Sequence, residues 1–253
     1  MRRLRLIIAA TALLGIMPEI LQAQDRFFAY SYSSPNIPMG GVDIEPWITY
    51  YWNSSGTKRI YYQRLEVEYG ITNWVQSSFY FNYKQKFING VVKTSTSFSH
   101  ALKFSLSNPS IRLVGFAFYF EYYLGSTFTE LETRIILDKW WGNNKLVVNL
   151  IPEIEWVYTG SPITGEVTTS KKEEFRIEYD YTHIVRLKKP LLSIGLEGVM
   201  SYEKRECQNS FVCPSLLCAT TGPRAGAFIT STIGYDLITR SAYQLRFILG
   251  VTF

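Results

Sequence analysis

Residues 73–87, NWVQSSFYFNYKQKF, put Val75, Ser77, Phe79, Phe81 and Tyr83 in one register and Gln76, Ser78, Tyr80, Asn82, Lys84 and Lys86 in the other. An extended chain turns successive side chains to opposite faces, so this pattern predicts a strand with one apolar and one polar face. The same period recurs and predicts strands over 42–53, 58–70, 73–87, 92–106, 110–124, 128–139, 144–158, 172–187, 190–204, 210–219, 226–237 and 242–253. Twelve is an even number, as a bacterial single-chain barrel requires. Many of these runs exceed the five or six residues usual for strands and the roughly 9–11 needed to cross a bilayer obliquely.

Alternation alone also suits a soluble sandwich, whose apolar faces pack together. The charges sharpen the choice. Turning the apolar register outward gathers Asp43, Glu45, Glu66, Glu68, Glu121, Glu130, Glu132, Asp138, Glu153, Glu155, Glu174, Glu178, Asp180, Glu197 and Glu203 on the other face, with Arg64, Lys84, Lys86, Arg134, Arg176 and Arg246 among them. Aromatic residues collect near the strand ends, at Tyr50, Trp52, Trp74, Trp140, Trp141, Trp156, Tyr158, Tyr202 and Tyr243, as interfacial girdles do. The expected fold is an all-β, antiparallel up-and-down transmembrane barrel, with membrane lipid as the partner of its apolar face.

The connections fit this scheme. GITN, SNPS, WGNN, RLKKP and TTGPRAG fall on the side of Phe253, taken as periplasmic. NSSGTK, the Asn89-Gly90 hairpin signal, GST, the stretch 159–171, KRECQN and ITRS fall on the other, so the longest connection is expected outside. Residues 24–41 contain Pro35, Pro38 and Gly40-Gly41 and would spoil the even count as a strand. They are expected to form a periplasmic lead-in or partial plug, gripping through Phe27, Phe28, Tyr30 and Tyr32, or else to be disordered. The barrel proper then occupies 42–253.

Composition agrees, with charged residues at 19% and aromatics at 16%, including 18 tyrosines suited to surfaces wet on one side. Residues 1–23 join Arg2, Arg3 and Arg5 to an apolar run from Leu6 to Ile16 and a cut after Ala23, which predicts a secretory signal peptide. No later run is long and apolar enough for a membrane helix. The formal net charge of +5 shrinks further once that signal is removed, too little to point to nucleic acid.

Chemistry at the residue level is sparse. No Cys or His spacing suits a metal, and no cofactor is expected. Cys207, Cys213 and Cys218 are odd in number, and a disulfide between Cys207 and Cys213 across the external turn is the candidate pairing. A resemblance to outer-membrane lipid hydrolases would imply His and Ser on one outer face, adjacent in register. His100 and His183 are instead followed two positions later by Leu102 and Val185, and DYTH (180–183) lies toward the Phe253 end, so no enzyme is expected.

The terminal alternation Tyr243, Leu245, Phe247, Leu249, Val251 and Phe253 resembles the signal that outer-membrane barrels present to their insertion machinery. EYGITN (68–73), GLEG (195–198) and LRFILGVTF further resemble transporter-like barrels related to the meta-pathway phenol-degradation group. That resemblance implies an outer-membrane location and hydrophobic substrates. The charged face implies polar ones, because an acid-rich lining attracts cations and small polar solutes. The expected function is a channel or facilitator for small solutes, with Glu66, Glu68, Glu132, Arg134, Glu153, Arg176, Glu178 and Arg246 as candidate lumen-lining residues. A structural or surface-interaction role, carried by 159–171, is the alternative, and side chains that pair across strands would then fill the barrel.

Overall fold

The computed structural model describes residues 26–160, 167–185, 191–221 and 225–253. The strands are β1 (Val42–Asn53), β2 (Lys58–Thr72), β3 (Val75–Ile88), β4 (Val91–Ser107), β5 (Gly115–Gly125), β6 (Phe128–Trp141), β7 (Asn144–Gly160), β8 (Val167–Val185), β9 (Leu191–Glu203), β10 (Glu206–Thr221), β11 (Gly226–Asp236) and β12 (Ala242–Thr252). Each pairs antiparallel with its sequence neighbours, and β1 pairs with β12 to close a twelve-stranded barrel. Closure satisfies the ladder without a free edge, the condition for a sheet in lipid. The seam ends with Phe253 N donating to Val42 O at 2.8 Å and Val42 N donating to Phe253 O at 3.1 Å.

The alternation sets the two faces. Leu65, Phe81, Phe98, Leu124, Ile194 and Leu245 are each at least 44% exposed on the outside, and every strand contributes to this apolar coat. A surface of that extent is stable only against lipid. The opposite register is buried and charged, with Glu66, Glu121, Arg64 and Arg134 inside. The apolar faces therefore do not pack on one another, which excludes the sandwich.

The hairpin at Asn89-Gly90 forms as its sequence predicts, with φ of 48° and 84°. Both central residues of such a tight turn need positive φ, which Asn and Gly tolerate best. Other boundaries move. β5 starts at Gly115 rather than 110, because Asn108 Oδ1 accepts the Ser110 amide at 2.8 Å and Pro109 lacks the donor a ladder needs. β8 starts at Val167, so only 161–166 separate it from β7, and these lie outside the described residues. The longer connection is then 108–114, on the Phe253 rim, contrary to the expectation that the longest lies on the opposite one. The signal read in 1–23 also lies outside the described residues.

β10 begins at Glu206, directly after a turn in which Lys204 and Arg205 take φ of 50° and 71°. Cys207 and Cys213 consequently share one extended strand and cannot bridge, since six residues at about 3.3 Å each separate them by roughly 20 Å. All three cysteines are free thiols. Among the aromatics, Tyr50, Trp52, Tyr243 and Tyr235 stack in sequence at the rim opposite Phe253, with centroids 5.4–5.5 Å apart. Trp140 departs from the girdle pattern, turning inward with its ring 5.2 Å from Phe27.

Candidate functional site

The interior has two halves. Residues 26–41 occupy the half nearest Phe253, with Phe28, Ala29, Tyr30 and Tyr32 buried among inward-facing wall residues. The segment is anchored at the rim, where Gly40 N donates to Gly70 O at 2.8 Å and Gly70 N to Gly41 O at 3.0 Å. Gly70 is required there: a Cβ would lie 2.2 Å from Pro38 O.

Proline and serine keep this stretch out of any ladder, so its backbone polar groups must find side chains once they leave water. The wall supplies them. Glu197 accepts the Ala29 and Tyr30 amides at 3.0 and 2.9 Å. Asn149 accepts the Tyr32 amide at 2.8 Å and donates to Tyr32 O at 3.0 Å. Lys103 Nζ donates to Pro35 O at 2.6 Å, Lys145 Nζ to Ser33 Oγ at 2.6 Å, and Ser34 Oγ to Asp138 at 2.5 Å. Arg246 Nη1 donates to Ala29 O at 3.0 Å, its guanidinium 4.1 Å above the Tyr30 ring.

Above this segment runs a charged lattice. Arg134 meets Glu132 at 2.5 Å and Glu178 at 3.0 Å, while Arg176 meets Glu132 at 2.9 Å and Glu153 at 2.5 Å. A second knot joins Arg64 to Glu121, to Tyr123 Oη at 2.9 Å and to Asn82 Oδ1 at 2.9 Å, and Tyr119 Oη donates to Glu121 at 2.5 Å. Buried charges persist only when paired and hydrogen-bonded in this way. Toward the far rim, Lys84, Lys86, Glu130, Glu155, Lys172 and Glu203 are half-buried and line a charged vestibule.

Of the candidate lining residues, Glu132, Arg134, Glu153, Arg176 and Glu178 thus form one network. Glu66 and Glu68 stand apart on β2, and Arg246 holds the N-terminal segment and Thr49 Oγ1, the latter at 2.9 Å. Sequence reasoning passed over Lys103, Lys145, Asn149 and Glu197 as anchors. Their inward register was readable, but their partner was a segment with no periodicity.

A serine–histidine contact does exist. Ser77 Oγ lies 2.9 Å from His100 Nε2 across β3 and β4, a pairing that a search along single strands misses. Ser77 is buried, and the His100 ring lies 4.6 Å from that of Phe79. His183 Nδ1 lies 2.9 Å from Asn144 Oδ1 at the Phe253 rim.

No protein-family model matches the chain, and no curated protein matches it. Solved structures do, among them porins and an outer membrane channel. The translocator domain of the autotransporter NalP from Neisseria meningitidis is similar with a TM-score of 0.59 at 9% identity, covering 86% of this chain and 89% of that one. An outer membrane channel from Pseudomonas putida F1 gives 0.52 at 9% identity, covering 93% of this chain and 100% of that one. The NanC porin gives 0.51 at 11% identity, with 83% and 98% covered. At these identities the likeness is one of fold. By that fold and by its lipid-facing coat, the chain is an outer-membrane β-barrel.

Proposed function

We propose that this barrel is a channel or facilitator for small polar solutes, preferring cations, in which residues 26–41 act as a built-in plug. The observation that carries the reading is the charged vestibule ending on the Arg134–Glu132–Arg176–Glu153 lattice, with the N-terminal segment directly beneath. Inward acids outnumber inward bases, and a low-dielectric wall focuses that field on entering ions. Passage requires the segment to leave its half of the lumen. The resemblance to barrels of the meta-pathway phenol-degradation group would favour hydrophobic compounds instead, and an interior made of carboxylates and guanidinium groups suits those poorly.

Planar-bilayer recording of the whole chain and of a variant lacking residues 26–41 tests the reading. The deletion should raise single-channel conductance several-fold, with cations carrying most of the current. A second reading, a non-conducting envelope protein, is favoured by the near-complete burial of Arg64, Glu66, Tyr80 and Glu121 at mid-height. A folded deletion variant that passes no current above the lipid background would refute the channel and leave this second reading in place.

A further inference from the structure

On the Phe253 half of the wall, two pairs of acids face each other across β1 and β2. Asp43 lies opposite Glu68, and Glu45 opposite Glu66. All four are inward and at most 6% exposed. Like charges directly opposite in a ladder repel, and burial removes the water that would screen them.

The protein compensates only part of this charge. Arg26 Nε forms an ion pair with Glu45 Oε2 at 3.6 Å, and Trp47 Nε1 donates to the same oxygen at 2.9 Å. Gln76 Nε2 and Ser78 Oγ donate to Glu68 Oε1 at 2.7 and 3.1 Å. Asp43 Oδ1 and both carboxylate oxygens of Glu66 have no hydrogen-bond partner. A buried, unpartnered carboxylate oxygen costs several kcal/mol and needs a cause.

Oxygens of Asp43, Glu45 and Glu68 lie within 4.8 Å of one another, close enough to converge on one ion at about 2.4 Å. These three residues line a cavity of about 40 Å³, room for an ion with a water. The N-terminal segment closes its other side with Asn36, whose Oδ1 is also unpartnered. Arg26 and Lys103 line the same space, and Lys103 is already bonded to the Ser33 and Pro35 carbonyls. Three lining acids against two lining cations leave one negative charge in excess, and Glu66, opposite Glu45 on the next strand, adds a second, which a divalent ion balances.

We propose that Asp43, Glu45 and Glu68 of the wall, with Asn36 of the N-terminal segment, form a binding site for a divalent cation of the calcium class. The donors are all hard oxygens, a set that Ca²⁺ takes with flexible geometry and variable ligand number, whereas Mg²⁺ demands a near-ideal octahedron. Because the ligands come from both wall and segment, the ion fastens the segment inside the lumen. The site stands whether or not the barrel conducts, since ion binding is read without current.

The whole chain, refolded in detergent and stripped with EDTA, is titrated with CaCl2 and, separately, with MgCl2 in a calorimeter. Saturable single-site Ca²⁺ binding, tighter than Mg²⁺, is expected. The double variant D43N/E68Q should bind at least tenfold more weakly, and R26Q more tightly because a competing cation is gone. Refolding is checked by heat-dependent electrophoretic mobility. N36A leaves the barrel wall untouched, so its expected several-fold weakening keeps the test open should the double variant fail to fold. Absence of saturable Ca²⁺ binding, equal affinity in a folded D43N/E68Q, or Mg²⁺ binding as tight as Ca²⁺ would overturn the proposal.

Discussion

Glu197 holds the N-terminal segment by two of its backbone amides, and replacing it by alanine should free that segment while sparing the barrel. Its carboxylate accepts two buried amides, from Ala29 and Tyr30, at 3.0 and 2.9 Å. Leaving a buried amide without an acceptor costs about 1–3 kcal/mol, so two cost roughly 2–6 kcal/mol. Part of this returns, because Glu197 lies opposite Asp180 and removing it relieves a like-charge pair worth up to about 1 kcal/mol. The net shift, roughly 1–6 kcal/mol and centred near 3, multiplies the population of the released segment by about 100 at its centre, at roughly 1.4 kcal/mol per decade. Chymotrypsin reads this directly. Phe27, Phe28, Tyr30 and Tyr32 are its targets and are buried in the seated form, so cleavage tracks the released population when reseating outpaces proteolysis. Folded Glu197→Ala barrels should be cut near the N-terminus at least tenfold faster than the parent, while Glu197→Gln, whose amide oxygen still accepts, falls between. Equal cleavage rates in folded parent and alanine variant would refute the anchoring argument.

Two further outcomes follow from the outer face and the turns. Phe81→Arg places a charge on a side chain 57% exposed in mid-strand, flanked by the outward Leu65 and Phe98, and should destabilise the barrel in vesicles by about 2–4 kcal/mol. Ile88→Arg at the end of the same strand should cost at most about 1 kcal/mol, and urea midpoints that rank the two the other way would place the lipid belt elsewhere. Lys204→Asn with Arg205→Gly should stabilise by about 1 kcal/mol, since both residues are held at positive φ and a non-glycine left-handed residue costs about 1–2 kcal/mol. A lower urea midpoint for that pair would show that the two side chains do something the turn geometry does not capture.

Much of this architecture is legible along the chain because a strand's period of two is a local property. The alternation over 75–88 names the inward Tyr80 and Asn82 and the outward Phe79 and Phe81 before any partner strand is known, and the same rule turns Glu132, Arg134, Arg176 and Glu178 inward. The turn at Asn89-Gly90 is equally local. The turn at Lys204-Arg205 is not, because its residues carry no preference for positive φ and the flanking ladder imposes it.

Only the closed barrel decides which inward groups meet. Asp43 and Glu68, or Ser77 and His100, become neighbours through register between strands, a relation that spacing within one strand does not encode. Residues 26–41 have no period at all. Their place follows from backbone groups that lose water inside the lumen and take Glu197, Asn149 and Arg246 as partners, residues 117 to 217 positions away in sequence. Side-chain facing is set by geometry within a few residues, whereas the content of the interior is set by closure, which brings distant groups into a space that water has left.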